Sequence, residues 1–470
     1  MIGGLGDTIV ALATPKGVSA LAVIRISGTR AWEITKEFFR KPNGSVFRFV
    51  EPRKMVYGWF FDHNMQPVDE AQITKYAKDS SPTGEELIEL FCHGGYGVVE
   101  RILDCFHHFG VRSARPGEFT FRGFVNGKVD LIQAQAIHDL IQTVSPLATN
   151  GFSQVLRGVL SEQISEIRQT ILDIASSIEI QFDDPEEAFY EGQESWDRSE
   201  IRKTIVERIE IIRRMRADSK RMIRARDGIL TVIAGRPNVG KSSLMNQLLK
   251  KDRVLVSPEP GTTRDYIEEM LRINGVMIHL VDTAGIRNTE ESVEKMGIRK
   301  TREWIDRAEL VIYLLDSQEP IQLEDFETLE FIRTKPHLIV LNKTDTIPYA
   351  QEQEHIRGYL RQLAPYGNIL LVSALHGNGI KELEEAIISQ ANSLLPGETV
   401  PAVTLQQHCD LVMEIEEILW AFLSALDEEA LLDCLGDLLR KAVAYLDIMT
   451  GRTYTEDLVH TLFSRFCVGK

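Results

Sequence analysis

The chain has 470 residues, more than one hydrophobic core usually organises, so we expect two or three domains. Its formal net charge of −16 argues against a protein that coats nucleic acid through a general basic surface, and any RNA must meet a local basic patch or a basic partner. With 43% hydrophobic and 26% charged residues, and no apolar run near the roughly 20 residues that span a bilayer, we expect a globular protein without a membrane span.

The beginning of the chain lacks the basic flank, long apolar core and cleavage site of a signal peptide. Five cysteines are scattered without paired or His-rich metal spacing, which indicates reduced thiols rather than a disulfide framework. Both features predict a cytoplasmic protein.

The first part of the chain has the texture of an α+β domain that ends near residue 126. Short β-branched and aromatic runs within 8–26 and at 57–61 are broken by Pro and Gly, as is typical of strands. From about residue 130 the apolar residues recur at helical spacing among charges, and a second such stripe includes Ile201 and Ile212. These stripes predict long amphipathic helices.

Between about residues 223 and 392, short apolar runs alternate with amphipathic segments. The runs are ILTVIA, VMIHLVD, LVIYLLD, HLIVLN and ILLVSA. This alternation predicts a mostly parallel sheet flanked by helices. Helical texture returns afterwards, so we expect the α/β domain to be inserted into an all-α one. The predicted boundaries are 1–126 for the N-terminal domain, 127–222 for the first helical part, 223–392 for the inserted domain and 393–470 for the second helical part.

A phosphate-binding loop is the most specific motif. Residues 235–242, Gly-Arg-Pro-Asn-Val-Gly-Lys-Ser, fit G-x-x-x-x-G-K-[ST], follow the apolar run 229–234 and open a helical segment. The glycines let the backbone wrap phosphates, Lys241 reaches the β- and γ-phosphates, and Ser242 ligates Mg²⁺. A Gly-rich turn without function is disfavoured because the flanking strand and helix are both expected.

Three further motifs follow, each at the end of an apolar run. The DTAG motif at 282–285 offers a carboxylate to the Mg²⁺ shell and an amide to the γ-phosphate. In the NKTD motif at 342–345, Asp345 accepts from guanine N1–H and from the 2-amino group, which adenine lacks. The SAL motif at 373–375 completes the base pocket through backbone amides. Singly these are ordinary turn sequences, but in this order they indicate a GTPase.

A switch segment, Gly-Thr-Thr-Arg-Asp at 261–265, lies between the first two motifs. Its Thr263 is the natural switch threonine, whose hydroxyl and carbonyl meet Mg²⁺ and the γ-phosphate. Ile286 follows the DTAG motif, where many signalling GTPases carry the glutamine that orients the attacking water. The group that positions water must therefore come from elsewhere.

Through nearly its whole length the chain resembles one family, the tRNA-modification GTPases called MnmE or TrmE. The segments that carry the resemblance, besides the GTPase motifs, are DTIVA at 7–11, VIRISG at 23–28, TGEE at 83–86 with Glu89 and HGG at 93–95, RPGEFT at 115–120, NGKVDL at 126–131 and FCVGK at 466–470. The resemblance implies an N-terminal folate-binding and dimer-forming domain, a helical domain and an inserted Ras-like P-loop GTPase domain.

The family implies a homodimer that joins an FAD-containing partner of the MnmG (GidA) type in a heterotetramer. Together they would add a carboxymethylaminomethyl-type group to C5 of the wobble uridine of certain tRNAs, using the one-carbon unit of 5-formyltetrahydrofolate or a related tetrahydrofolate. Carried over by position, the folate contacts are Arg25, Glu89, Lys128 and Lys470. The cations suit carboxylates and Glu89 suits a pterin amino group, although singly each residue would be read as an ordinary surface charge.

The same resemblance completes the set of residues expected to hold GTP or GDP. The predicted nucleotide contacts are Asn238, Val239, Gly240, Lys241, Ser242, Ser243, Ser257, Thr262, Thr263, Asp282, Thr283, Ala284, Gly285, Asn342, Lys343, Asp345, Ser373, Ala374 and Leu375. Mg²⁺ is expected at Ser242 and Thr263.

The family also implies hydrolysis stimulated by potassium, with K⁺ in the place of an arginine finger. The predicted K⁺ ligands are Asn238, Ser257, Glu259 and Thr262. The predicted catalytic residues are Glu294, which steers the attacking water, its neighbour Arg287, Thr263 and Lys241. Arg236 of the phosphate loop is expected to point outward and not to act as a finger.

Two alternatives compete with this interpretation. A ribosome-assembly GTPase acting as an rRNA-binding regulator would share the phosphate loop and the hydrophobic residue after D-x-x-G. The single phosphate loop, the lack of a basic RNA-binding module after the GTPase domain and the long N-terminal domain count against it. A folate enzyme with a merely structural GTPase domain is disfavoured by the intact Thr263 and Asp282.

Overall fold

The structure is a computed structural model, and it describes residues 6–183, 197–252, 267–282, 302–346, 358–359, 361–395, 401–454, 459 and 462–470. The chain divides into two compact units. Unit 1 comprises Met1–His138, Val155–Glu210 and Asp410–Lys470, and unit 2 comprises Asp139–Gln154 and Ile211–Cys409. Among the described helices, none has both the length and the apolar character that a membrane crossing needs.

The elements alternate between strands and helices, as expected of a multidomain chain with α+β, all-α and α/β parts. The strands are β1 (Ile9–Leu12), β2 (Ser19–Ser27), β3 (Phe39–Arg40), β4 (Met55–Phe61), β5 (Pro67–Tyr76), β6 (Leu87–Gly94), β7 (Arg112–Ser113), β8 (Ile229–Ala234), β9 (Ile267–Ile273), β10 (Val276–Asp282), β11 (Leu310–Asp316), β12 (His337–Asn342) and β13 (Ile369–Leu371). The helices are α1 (Ala31–Phe38), α2 (Tyr96–His108), α3 (Glu118–Val125), α4 (Leu131–Gln142), α5 (Pro146–Leu156), α6 (Val159–Asp183), α7 (Arg198–Asp227), α8 (Lys241–Asp252), α9 (Leu323–Ile332), α10 (Ile380–Leu394), α11 (Gln406–Asp427) and α12 (Leu432–Thr450).

Unit 1 contains a seven-stranded sheet in the order β3-β4-β5-β6-β2-β1-β7, antiparallel except between β1 and β7. Helices α1 and α2 pack on it, with Ile34 and Ile102 buried in one core with Ile24 and Ile88 of the strands. Apolar alternation along β2 and β6 produces this buried set, because every second side chain of a strand points to the same face. The predicted α+β domain is confirmed.

The helical part of unit 1 follows the predicted apolar stripes. Helix α6 packs along α12, and Arg168 pairs with Asp447 between them at 2.5 Å. The first stripe is divided, since α5 ends at Leu156 and α6 begins at Val159 around Gly158, which has a φ of 92°. All five cysteines are free thiols, as predicted.

Unit 2 contains a six-stranded sheet in the order β13-β12-β11-β8-β10-β9. All neighbouring strands are parallel apart from β9 and β10, so the predicted mostly parallel sheet is confirmed. Strand β9 was not predicted from the apolar runs of the sequence. Its signal was the dipeptide Asn274-Gly275, whose positive φ angles of 48° and 87° form the two-residue turn of a β-hairpin.

Helices that precede β8 and a non-helical segment that follows α10 share the core of unit 2, the latter through Ala402. Phe152 of α5 and Met222 of α7 are buried in one cluster with Ile233 and Val340 of the sheet. Asp139 accepts hydrogen bonds from Arg226, at 3.4 Å, and from Thr404. One buried carboxylate therefore holds the segments that lead into β8 and out of α10.

Candidate nucleotide and folate sites

The carboxyl ends of four neighbouring parallel strands meet at one edge of the unit 2 sheet. Strand β8 leads into the phosphate loop, β10 ends at Asp282, β11 ends at Asp316 and β12 ends at Asn342. Ligands of parallel α/β sheets bind at this edge because loops and helix N-termini converge there. Motifs that are separated along the sequence therefore meet at a single site in space.

The phosphate loop has the backbone shape that its glycines predict. Gly235 has a φ of 146°, and a Cβ there would lie 2.3 Å from the carbonyl oxygen of Leu314. Gly240 has a φ of 101°, and a Cβ there would lie 2.3 Å from Nδ2 of Asn342. Both distances are far inside van der Waals contact, so only glycine fits. Asn238 also has a positive φ, 63°, which Asn tolerates better than most residues.

The loop gathers the groups that phosphates and Mg²⁺ require. Lys241 is buried, and its Nζ donates to the carbonyl oxygens of Gly235 and Arg236, at 2.8 Å each. The hydroxyl of Ser242 donates to Oδ2 of Asp282 at 2.7 Å, and this carboxylate is buried. A hydroxyl and a carboxylate at the start of α8 are hard oxygen ligands, so the donor set fits Mg²⁺. Ser243 is the exposed next residue of α8.

The base-recognition residues form one hydrogen-bonded set. Asn342 donates from Nδ2 to the carbonyl oxygen of Val239 at 2.8 Å, and its Oδ1 accepts from the backbone N–H of Ala374 at 2.9 Å. The hydroxyl of Ser373 donates to Oδ1 of Asp345 at 2.5 Å. Hydrogen bonds therefore join the phosphate loop, the NKTD motif and the SAL motif directly. Asp345 lies on the short turn Thr344–Thr346.

Two further contacts are made by the residues that follow Ala374. His376 lies with Nε2 3.5 Å from Oδ2 of Asp345, a neighbour that the motif analysis did not include. The carbonyl oxygen of Leu375 accepts from Gln247 of α8 at 3.2 Å. Leu375 thus attaches the SAL segment to α8, and His376 attaches the next residue to the NKTD motif.

Arg236 is engaged by acidic residues. Its guanidinium pairs with Asp325 at 3.1 Å and with Glu319 at 3.0 Å, and Asp325 also accepts from the hydroxyl of Tyr313 at 2.9 Å. Its side chain is only 15% exposed, so the expectation that it points outward is wrong, because the two carboxylates hold the guanidinium against the domain. The expectation that Arg236 does not serve as a finger stays a prediction.

Several predicted residues lie outside the described residues. They are Ser257, Glu259, Thr262, Thr263, Thr283, Ala284, Gly285, Arg287 and Glu294. Their roles in switching, K⁺ binding and catalysis stay predictions.

Three of the four predicted folate contacts meet in unit 1. Arg25 on β2 and Glu89 on β6 are opposite each other in the sheet, and Nε of Arg25 donates to Oε1 of Glu89 at 2.9 Å. The hydroxyl of Tyr76 donates to the other oxygen of Glu89 at 3.2 Å. Burial, together with the nearby charge of Arg25, lowers the pKa of the Lys470 ammonium. Tyr76 is a member of this cluster that the motif analysis missed, because its position follows only from strand pairing.

Lys128 has a separate partner, since its Nζ donates to the carbonyl oxygen of Asp79 at 2.8 Å. In the described part of the chain, no hydrogen bond or ion pair joins it to Arg25, Glu89 or Lys470.

The end of the chain reaches this cluster by close backbone contact. A Cβ on Gly469, which has a φ of 97°, would lie 2.3 Å from the carbonyl oxygen of Leu12 on β1. The carbonyl oxygen of Lys470 accepts from the N–H of Phe119 at 3.1 Å, and that of Gly469 accepts from Arg25 at 3.3 Å. We call Arg25, Tyr76, Glu89, Gly469 and Lys470 the terminal corner. Glycine at position 469 lets the tail lie against β1.

Comparison with known proteins identifies related chains over the whole length. The family described as "GTP-binding protein TrmE N-terminus" matches residues 8–128, and the family described as "MnmE helical domain" matches residues 131–467. The tRNA modification GTPase MnmE of Thermotoga petrophila is 37% identical over 466 residues, which cover 99% of this chain and 100% of that protein. The protein of the same name from Aquifex aeolicus is 36% identical over 470 residues, with the same two coverages.

Solved structures overlap a smaller part. A point variant of Aquifex aeolicus Era bound to GDP.AlF4- is 27% identical and covers 40% of this chain and 66% of its own, with a TM-score of 0.29. The assignment rests on the family matches and on the full-length relatives. The chain is therefore a member of the MnmE family of tRNA modification GTPases.

Proposed function

We propose that the chain hydrolyses GTP at the carboxyl edge of the unit 2 sheet and that hydrolysis serves the modification of C5 of the tRNA wobble uridine. The observation that carries the proposal is the direct linkage of the phosphate loop to the base-reading residues through Asn342, which donates to Val239 and accepts from Ala374. Because these two parts of the site are already joined, they bind the phosphates and the guanine of one nucleotide together.

The roles of the described residues follow from their chemistry. Lys241 exchanges its two carbonyl partners for the β- and γ-phosphate oxygens, which carry more charge. Ser242 and Asp282 supply the protein side of the Mg²⁺ shell, together with Thr263 of the switch segment. Asp345 reads the guanine 2-amino group.

Potassium is the proposed cationic element of hydrolysis. Ile286 has no group that orients water, and the guanidinium of Arg236 is held by two carboxylates. K⁺ held by Asn238 and by oxygens of Ser257, Glu259 and Thr262 would supply the missing charge, with Glu294 and Arg287 directing the water. Pairing of two such domains would order the switch segment.

Turnover in KCl and in NaCl at equal ionic strength tests the cation. We expect hydrolysis to be faster in KCl by on the order of a hundredfold. Asn238→Gly removes the side chain without straining a backbone whose φ is positive, so it is a better probe than alanine. Equal rates in the two salts, or full activity in Asn238→Gly, would reject the potassium mechanism. Neither result would contradict the proposal that the chain hydrolyses GTP.

The terminal corner is the proposed place of the tetrahydrofolate. Arg25 and Lys470 are cations near the acceptor Glu89 in a partly buried setting, which suits a ligand with carboxylates at one end and amino groups at the other. Lys128 would join them when ligand binds. The proposed assembly is a cytoplasmic homodimer with an FAD-containing partner of the MnmG type, and the domain boundaries at 126, 222 and 392 belong to the same proposal.

Mass spectrometry of wobble nucleosides tests the function as a whole. A strain that lacks its own homologue receives either this chain or its Lys241→Ala variant. We expect the carboxymethylaminomethyl-type nucleoside to return with the first and not with the second. Unchanged wobble nucleosides together with defective ribosomal subunits would instead support the ribosome-assembly alternative.

A further inference from the structure

We call the carboxyl edge of the unit 2 sheet, where β8, β10, β11 and β12 end, the nucleotide edge. One buried carboxylate at this edge belongs to none of the four motifs. Asp316 is the last residue of β11, and in the sheet register it lies beside Asn342, the last residue of β12. It is buried, although its strand ends at the same edge as the phosphate loop and the base-recognition segment. A buried carboxylate is costly unless it is paired, so its partners indicate its role.

Both oxygens of Asp316 are engaged. Oδ2 accepts from Nζ of Lys343 at 2.6 Å, and Oδ1 accepts from the backbone N–H of Gln318 at 2.9 Å. The side chain of Asp316 is 4% exposed and that of Lys343 is 34% exposed. The carboxylate is therefore fixed inside the domain, while the lysine side chain reaches its surface. The ion pair therefore anchors a partly exposed lysine to the sheet.

The backbone of Lys343 also needs support. Its φ of 61° is in the left-handed region, which a residue with a long side chain rarely adopts without surrounding contacts that hold it there. Ser317 provides two of these contacts, because its hydroxyl donates to the carbonyl oxygen of Lys343 and its N–H donates to that of Asn342, at 3.0 Å each. The end of β11 thus fixes both the backbone and the side chain of Lys343.

We propose that Asp316 is a positioning residue for guanine binding, which acts by fixing the ammonium of Lys343. Lys343 stands between Asn342 and Asp345, and with both of its ends fixed its aliphatic stem is a rigid wall of the base pocket before nucleotide arrives. Such pre-organisation lowers the entropic cost of binding. The effect concerns the base, so it is the same for GDP and GTP and does not alter the hydrolytic step. This inference rests on the proposed GTP-binding function.

Asp316→Asn is the sharpest single change. Asparagine keeps the volume and the oxygen that accepts from Gln318, and it removes the charge that holds Lys343. We expect the dissociation constants of GDP and GTP to rise roughly tenfold, through faster release, with kcat at saturating GTP changed by less than about twofold. Equilibrium titration and stopped-flow release of fluorescent GDP and GTP measure the constants.

Glu309→Gln is the matched control at the opposite end of the same strand. Glu309 directly precedes β11 and pairs with Arg224, so its replacement also removes one carboxylate from an ion pair of unit 2. We expect both dissociation constants to stay at the wild-type value in this variant. An equal loss in Glu309→Gln and Asp316→Asn would mean a general effect on the domain and would overturn the proposal.

Lys343→Met provides a second route that does not depend on the folding of the Asp316 variant. Methionine keeps an apolar stem and removes the ammonium, so we expect the same roughly tenfold loss of affinity for both nucleotides. Adding Asp316→Asn to Lys343→Met should then cause no further loss. The proposal is overturned if the two losses multiply, if Lys343→Met binds GDP like the wild type, or if kcat falls instead of affinity. A wild-type chain that binds no guanine nucleotide would overturn the proposed function itself.

Discussion

The nucleotide edge and the terminal corner are built in opposite ways. At the nucleotide edge, each functional group lies at the end of a strand or in the short segment after it, and a parallel sheet brings the carboxyl ends of those strands together. At the terminal corner, the contact between Arg25 and Gly469 joins residues separated by 444 positions. The first site is specified by short local sequences. The second exists only when the end of the chain docks on the first strands.

The two regions also differ in what supports them. The nucleotide edge is held by bonds among the functional groups themselves, such as those of Ser242 to Asp282 and of Ser373 to Asp345. Near the docking point of the tail lies an ion network centred on Arg122, whose buried side chain, 1% exposed, pairs with Asp7, Glu85 and Glu118. Loss of one group should therefore disable the first region locally and destabilise the second more widely.

The largest effect is expected for Lys241→Ala. Removal of the cation that meets the β- and γ-phosphates should reduce GTP hydrolysis roughly a thousandfold, as measured by phosphate release. Lys250→Ala is the control, since Lys250 is an exposed lysine of the same helix. Equal loss in both variants, or retained hydrolysis in Lys241→Ala, would contradict the local character of the site.

The next effect concerns acid stability near the terminal corner. Burial acts to raise the pKa of Glu118, but bonds from Arg112, the N–H of Arg115 and Arg122 outweigh it and hold the pKa at about 2, below its ordinary 4.5. A depressed folded-state pKa gives stability that is complete above about pH 4.5 and is lost as the pH falls towards 2. The contribution is on the order of 3 kcal/mol.

Urea unfolding of the wild type and of Glu118→Gln at pH values from 7 to 2 measures this contribution. The difference between their free energies of unfolding should be largest at neutral pH and shrink across that window. Parallel curves would show that the network near the corner carries no such charge dependence.

Asp345→Asn should weaken discrimination at the nucleotide edge. An amide offers one acceptor and adds donors of its own, so we expect the preference for GTP over ATP to fall roughly tenfold or more. Competition titrations with the two nucleotides measure the ratio. A wild-type chain with equal affinity for ATP and GTP would refute the assigned role, and an unchanged ratio in the variant would move that role to another residue.

The smallest effect is expected for Lys470→Met and for deletion of Lys470. Calorimetry with 5-formyltetrahydrofolate should show affinity reduced roughly tenfold by the loss of the charge, with a greater loss on deletion because the bond to Phe119 also disappears. Nucleotide affinity should be unchanged in both variants. Unaltered folate affinity after deletion would refute the terminal corner as the folate site.

Features that depend on local physics could be predicted from the order of the amino acids alone. The apolar runs at 229–234, 276–282 and 337–342 coincide with strands, because buried parallel strands need continuous β-branched and aliphatic residues. Lys241, Ser242 and Asp345 could be assigned roles because a loop or turn at a strand end needs only its own few residues. The antiparallel edge strand β9 could have been predicted too, from Asn274-Gly275.

Contacts between groups that are distant in sequence follow from the packing of the folded chain. Asp316 reads as an ordinary strand end until the sheet register sets it beside Asn342 and within 2.6 Å of Lys343. Tyr76 joins Glu89 through strand pairing. Lys470 lies near Arg25 because Gly469 lets the tail approach β1. Such contacts depend on the packing of whole elements. A short segment of sequence contains only one of the two partners, so it cannot show whether packing brings them together.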